Sequence, residues 1–156
     1  MKNIMTRLLS LVLLGAFIPS FVLADPWDLG IGDITVTATD TNQTVSQVNG
    51  ETKVDASPVI TSNGTTTNHT VIIEAADGKE ANVTLEDVNI NTSGAAITTS
   101  GKGDVNIELD GTNTVQSGTN HAGVEKTNGG TLTITDTNQD NGSLTATGGD
   151  RGAGIG

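Results

Sequence analysis

The chain has 156 residues, with two phenylalanines, one tryptophan, no tyrosine and no cysteine. That length suits one domain, and the missing cysteine excludes both a disulfide-stapled scaffold and a bacterial lipoprotein, which carries its lipid on a cysteine. A formal charge of −11 repels phosphate backbones and anionic headgroups, which argues against nucleic acid and membrane surfaces as partners.

Residues 1–24 have the layout of a secretory signal peptide. Lys2 and Arg7 form a basic start, Leu8 to Phe17 an apolar run, and Pro19-Ser20 a break. Val22-Leu23-Ala24 then places small or aliphatic residues before a cut at Asp25. The apolar run is short for a bilayer and is followed at once by proline, so no membrane insertion is expected after cleavage. The mature chain is expected to be secreted or held at the cell surface. Cleavage removes both phenylalanines and two of the seven basic residues, leaving five against 18 acidic ones, a charge of −13. Only Trp27 remains as an aromatic, so any core must be aliphatic.

Residues 25–70 do not repeat cleanly and are expected to form an N-terminal cap or irregular β region. They contain TDTNQ at 39–43, and the same five residues recur at 135–139. The separation of 96 positions equals four coils of 24, which predicts that both copies mark the same corner. Asp and Asn suit such corners because their side chains bond nearby backbone and tolerate left-handed geometry.

From residue 71 to residue 156 the chain repeats. Leu85-Glu86-Asp87-Val88-Asn89, Leu109-Asp110-Gly111-Thr112-Asn113 and Ile134-Thr135-Asp136-Thr137-Asn138 align after 24 and then 25 positions. Gly-containing turns follow at Ser93-Gly94, Ser117-Gly118 and Thr147-Gly148-Gly149. Small-small-aliphatic triplets come next: Ala95-Ala96-Ile97, Ala122-Gly123-Val124 and Ala153-Gly154-Ile155. The extra residues fall in 119–121 and 139–143, where insertions cost little. Within each unit Val83 and Leu85, Val105, Ile107 and Leu109, and Leu132 and Ile134 alternate with polar residues, which is the period of strands. Short strands repeating every 24–31 residues predict an all-β fold, a right-handed parallel β-helix (β-solenoid), whose stacked coils share a small-residue core. The last unit, Arg151 to Gly156, stops inside a repeat, so the solenoid is expected to be truncated at its C-terminus.

The phrases NVTLEDVNINTSGAAI, LDGTNTVQSG, GTLTITDTNQDNGSLTATGG and GAGIG, spread over residues 70–156, resemble bacterial secreted or cell-surface parallel β-helix proteins of the type that contains carbohydrate-binding domains. The resemblance implies polysaccharide binding at the cell surface, in some members of acidic polymers with calcium.

One metal site is read from the repeat itself. Glu86, Asp87, Asp110 and Asp136 are expected at one corner of successive coils, about 4.8 Å apart, where carboxylates would share a calcium ion, which prefers oxygen ligands. The competing reading is that they are solvated turn residues. Asn89, Asn113 and Asn138 are expected to form an amide ladder, and Thr131, Thr133, Thr135, Thr145 and Thr147 an outward strand face. His69 and His121 stand alone in polar loops. Lyase or hydrolase chemistry is disfavoured: the acidic corner could supply carboxylates, but nothing marks a raised pKa or a cleft, and a lyase's base would have to come from few basic residues. The functional expectation is an extracellular, non-catalytic module binding a polysaccharide or cell-surface glycan, with acidic polymer and calcium as one version. A structural stalk or adhesin segment is the alternative.

Overall fold

The computed structural model describes residues 25–138 and 141–156. The expected signal segment, residues 1–24, lies outside the described residues, as do Gln139 and Asp140. The described residues form fourteen strands and no helix. The N-terminal part contributes β1 (Trp27–Asp28), β2 (Ile34–Ala38), β3 (Gln43–Gln47), β4 (Thr52–Val54) and β5 (Val59–Thr61). Three coils follow, each of three strands: β6 (Val71–Ala75), β7 (Glu80–Glu86) and β8 (Asn89–Asn91); β9 (Ile97–Gly101), β10 (Asp104–Asp110) and β11 (Thr112–Gln116); β12 (Val124–Lys126), β13 (Leu132–Thr135) and β14 (Ser143–Thr147).

Stacking the coils makes a β-solenoid with three parallel faces. Sheet A runs β1-β5-β7-β10-β13, sheet B runs β12-β9-β6-β2-β3-β4, and sheet C runs β14-β11-β8. Every pairing within these sheets is parallel except β2–β3 and β3–β4. Parallel stacking begins before Val71, since β2 pairs with β6 and β5 with β7.

Alternation supplies the core. On sheet A, Leu85 lies opposite Leu109 and Val83 opposite Ile107, with Ile134 on the next coil. On sheet B, Val71, Ile97 and Val124 stack in line. Sheet C adds Ile90 and Val115. These residues are buried, except that Ile134 and its neighbours Leu132, Leu144 and Ala146 on the last coil are only partly so. Full burial of each such side chain is worth roughly 1.5–3 kcal/mol. The aligned triplets meet as expected: Ile97 pairs with Val124, which bridges to Ile155.

The corners hold polar side chains that link one coil to the next. Ser117 Oγ accepts from the Ala96 N–H at 2.8 Å, and Thr99 donates to Asn128 Oδ1 at 2.8 Å inside the core. Among the described residues no buried side-chain nitrogen or oxygen lacks a partner, as low-dielectric interiors require. Gly118 is forced by the same close stacking, because a Cβ there would lie 1.9 Å from the Ser93 carbonyl oxygen.

The N-terminal end is sealed by a fold-back. The first TDTNQ makes the turn of the antiparallel β2–β3 hairpin, with Thr39 N–H donating to the Asn42 carbonyl at 2.9 Å and Ala38 opposite Gln43. The second copy begins in β13 of sheet A. The expectation of one shared corner is therefore corrected. The pentapeptide encodes a turn, but alternation resumes at once after residue 42, so the chain folds back instead of rising to a new coil. Trp27 closes this end, 3% exposed. Its indole N–H donates to Asp55 Oδ2 at 2.9 Å and the Lys53 ammonium sits 4.7 Å from the ring centre.

The alignment of the third repeat also shifts. Ile134 lies opposite Ile107, not Leu109, two residues from the expected register. The loop from sheet C to sheet B spans 92–96 in one coil and 117–123 in the next, so Val124 and Ile134 both stand 27 residues after their partners Ile97 and Ile107. The strands keep their inward-facing pattern while the loops absorb the difference.

Candidate polar groove on sheet A

The outward positions of β7 and β10 alternate with the core. In register across the two coils they read Glu80 with Asp104, Asn82 with Asn106, Thr84 with Glu108, and Glu86 with Asp110. On β13, Thr133 continues the Asn row and Thr135 the Glu108 position. Asn106 Nδ2 donates to Asn82 Oδ1 at 3.1 Å, so an amide pair links these two coils on this face. A groove of about 380 Å3 lies over it, lined by Ser57, Asn82, Thr84, Asn106, Thr133 and Thr135, with Glu108 and Thr137 on one side.

Two devices shape this groove. The first is Gln43, 7% exposed. Strand β5 pairs with β7 only from Thr84 to Glu86, which leaves Asn82 without a strand on that side. The Gln43 amide fills the place: Oε1 accepts the Asn82 N–H at 2.9 Å and Nε2 donates to the Asn82 carbonyl at 2.9 Å. A side chain here imitates the next strand of the sheet.

The second is Glu108. Oε1 accepts the backbone N–H groups of Thr137 at 2.5 Å and Asn138 at 3.0 Å. Oε2 accepts the hydroxyls of Thr135 and Thr137, both at 2.8 Å. These four bonds staple the chain after β13 against the groove. They hold the Glu108 carboxyl below the usual carboxylate range, with the Asn138 N–H the largest contributor, because hydrogen bonds to the charged form favour it.

Of the four expected metal ligands, the structure brings two together. Glu86 and Asp110 face each other on adjacent coils. Asp87 instead turns into the left-handed region at φ 49°. Its Oδ1 accepts the Thr112 N–H at 3.0 Å over Gly111, where a Cβ would lie 2.3 Å away. Asp136 is displaced by the register shift, and its Oδ2 accepts the Gly142 N–H at 3.1 Å. Asp110 Oδ1 accepts Asn138 Nδ2 at 2.6 Å. Among the described residues no group of three or more His, Cys, Asp or Glu side chains is placed to hold a metal ion.

The expected ladder of Asn89, Asn113 and Asn138 is corrected as well. Leu85 and Leu109 are 24 apart, but Asn89 pairs with Thr114, 25 on. The extra residue is taken up at the corner, and Asn113 swings inward to full burial. There its Oδ1 accepts the Val88 N–H at 3.0 Å and its Nδ2 donates to the carbonyls of Asp110 and Ser143. The two histidines are tied to neighbours: His69 Nδ1 lies 2.6 Å from the Leu29 carbonyl and His121 Nδ1 2.9 Å from Glu125 Oε2.

The groove residues Asn82, Asn106 and Glu108 were missed in the sequence, although a signal existed. Asn82 and Asn106 repeat at the same spacing of 24 as Leu85 and Leu109. Comparison with known protein families, with curated proteins and with solved structures finds no match.

Proposed function

We propose that this chain is an extracellular, non-catalytic carbohydrate-binding β-solenoid module of a bacterial cell surface, and that the glycan lies in the groove on sheet A. The observation that carries this reading is the Asn82–Asn106 amide pair, continued by Thr133 and flanked by Thr84 and Ser57 in one groove. Amides and hydroxyls both donate and accept, which suits the hydroxyls of a sugar chain. They repeat at the coil spacing of about 4.8 Å, so a polymer lying along the solenoid axis meets the same chemistry at successive coils. No aromatic side chain lines the groove, and affinity is therefore expected from repeated weak contacts.

The non-catalytic part of the reading is supported by Glu108, the one carboxylate lining the groove. Glycoside hydrolysis needs an acid with a raised pKa, whereas Glu108 accepts four hydrogen bonds and is held charged. Secretion is supported by the signal-like pattern of residues 1–24. Calcium assistance keeps one pair in its favour, Glu86 with Asp110.

Co-sedimentation of residues 25–156 with insoluble and gelled polysaccharides, in calcium and in chelator, tests the reading. Retention that Asn106→Ala weakens about tenfold, with an unchanged melting temperature, is the expected result; the factor corresponds to one or two lost hydrogen bonds. A folded protein retained by no glycan leaves the stalk or adhesin reading in its place. Retention lost in chelator would bring calcium into the mechanism.

A further inference from the structure

The groove is flanked on both sides by like charges placed in register. Glu80 lies opposite Asp104 at one end of the β7–β10 pair and Glu86 opposite Asp110 at the other. Like charges directly opposite on paired strands are destabilising, and these two pairs sit about 20 Å apart at 3.3 Å per residue. Strands β7, β10 and β13 contain no Lys, Arg or His. Of the lysines just before them, Lys79 pairs with Asp40 at 3.1 Å. The carboxylates of Asp104 and Asp110 each accept a hydrogen bond, from the Thr131 N–H and from Asn138. Glu80 and Glu86 point outward and are exposed.

A neutral floor of amides and hydroxyls between two acidic ends selects among glycans by charge. An acidic polymer along this groove would bring its carboxylates against Glu80, Asp104, Glu86, Asp110 and Glu108. A polymer carrying free amino groups would relieve both like-charge pairs while its hydroxyls meet Asn82, Asn106, Thr84 and Thr133. We infer that the groove on sheet A binds a glycan bearing free, protonated amino groups, of the deacetylated aminohexose class, with the amide pair meeting its hydroxyls and the two acidic pairs its ammonium groups. This inference rests on the carbohydrate-binding reading above and narrows its substrate class, away from acidic polymers.

The test compares binding of residues 25–156 to a soluble glucosamine polymer, to its N-acetylated form and to poly-lysine, at low and at physiological salt. The expected result is tightest binding to the free-amine glycan, weakened by salt as exposed charge contacts are. The double variant Glu80→Gln/Glu86→Gln, which removes one charge from each pair without removing a hydrogen bond, should weaken that binding about fivefold, as two exposed charge contacts would. Glu74→Gln/Asp150→Asn changes the net charge equally on other surfaces and should leave it unchanged. Equal weakening by both double variants, or equal binding of poly-lysine, overturns the inference in favour of a general attraction of an acidic protein for polycations. Equal binding of the acetylated polymer overturns the charge selection but leaves carbohydrate binding standing. Binding to none of the three, with retention on neutral or acidic polysaccharides, also removes this inference alone. Retention on no glycan at all removes both.

Discussion

Glu108 ties the pH response of the protein to four short contacts. Its carboxyl is held below the ordinary value of 4.5, chiefly by the Asn138 N–H. A lowered folded pKa stabilises the fold in full above the unfolded value, and that contribution disappears as the pH falls through the lower folded value. Glu108→Gln should therefore lower the melting temperature at pH 7, and the gap to the parent should close as the pH is taken below about 4.5. Melting curves across that range decide it; a gap that stays constant would show that the hydrogen bonds matter and the charge does not. Asn113 offers a different kind of test. It is fully buried and its amide meets the Val88 N–H and the carbonyls of Asp110 and Ser143. Asn113→Ala should cost about 2–3 kcal/mol in urea unfolding, since it strands buried backbone groups. In the sequence Asn113 looked like one rung of an amide ladder, because its spacing from Asn89 matched the repeat. One extra residue at a tight corner reverses inside and outside when the side-chain period is two.

The strands themselves were readable, and the physical reason is simple. Val105, Ile107 and Leu109 alternate with polar residues, and alternation survives any change in loop length. Registers across coils were readable only where the strands kept the spacing of the repeated phrases, as between Leu85 and Leu109. They failed at Ile134, because the loop over 117–123 is longer than the one over 92–96. The strand-like Gln43 amide depends on contacts 39 residues apart, and no local pattern announces it. Gln43→Ala should cost about 1–3 kcal/mol and raise amide exchange at Asn82, whose N–H then has no acceptor. The corners give a sharper contrast. Gly118 has the Ser93 carbonyl oxygen 1.9 Å from where a Cβ would sit, while Gly94, one coil earlier, has nothing within 4 Å. Gly118→Ala should destabilise by more than about 2 kcal/mol and Gly94→Ala by less than about 0.5 kcal/mol. Equal effects in thermal unfolding would mean that the coils do not stack as closely as this.

Across all its coils the molecule is a one-dimensional stack in which each coil is held by its neighbours. Burial is not even along that stack. The middle coil places Val105, Ile107 and Val115 out of solvent entirely, whereas Leu132, Ile134, Leu144 and Ala146 on the last coil are only half-buried and Ile155 is 51% exposed. Hydrogen exchange should therefore be fastest in β12, β13 and β14 and slowest in β7 and β10, following local burial. Uniform exchange across the three coils would show instead that the solenoid opens as a single unit.

Trp27 gives residues 25–156 a single optical label. With no tyrosine anywhere and both phenylalanines in the first 24 residues, near-ultraviolet emission comes from one indole, packed beneath Lys53 at the sealed end. Fluorescence will therefore follow the opening of that end alone, while far-ultraviolet dichroism follows the strands of every coil. If the two signals change at different urea concentrations, their separation measures how strongly the N-terminal seal is coupled to the coils above it.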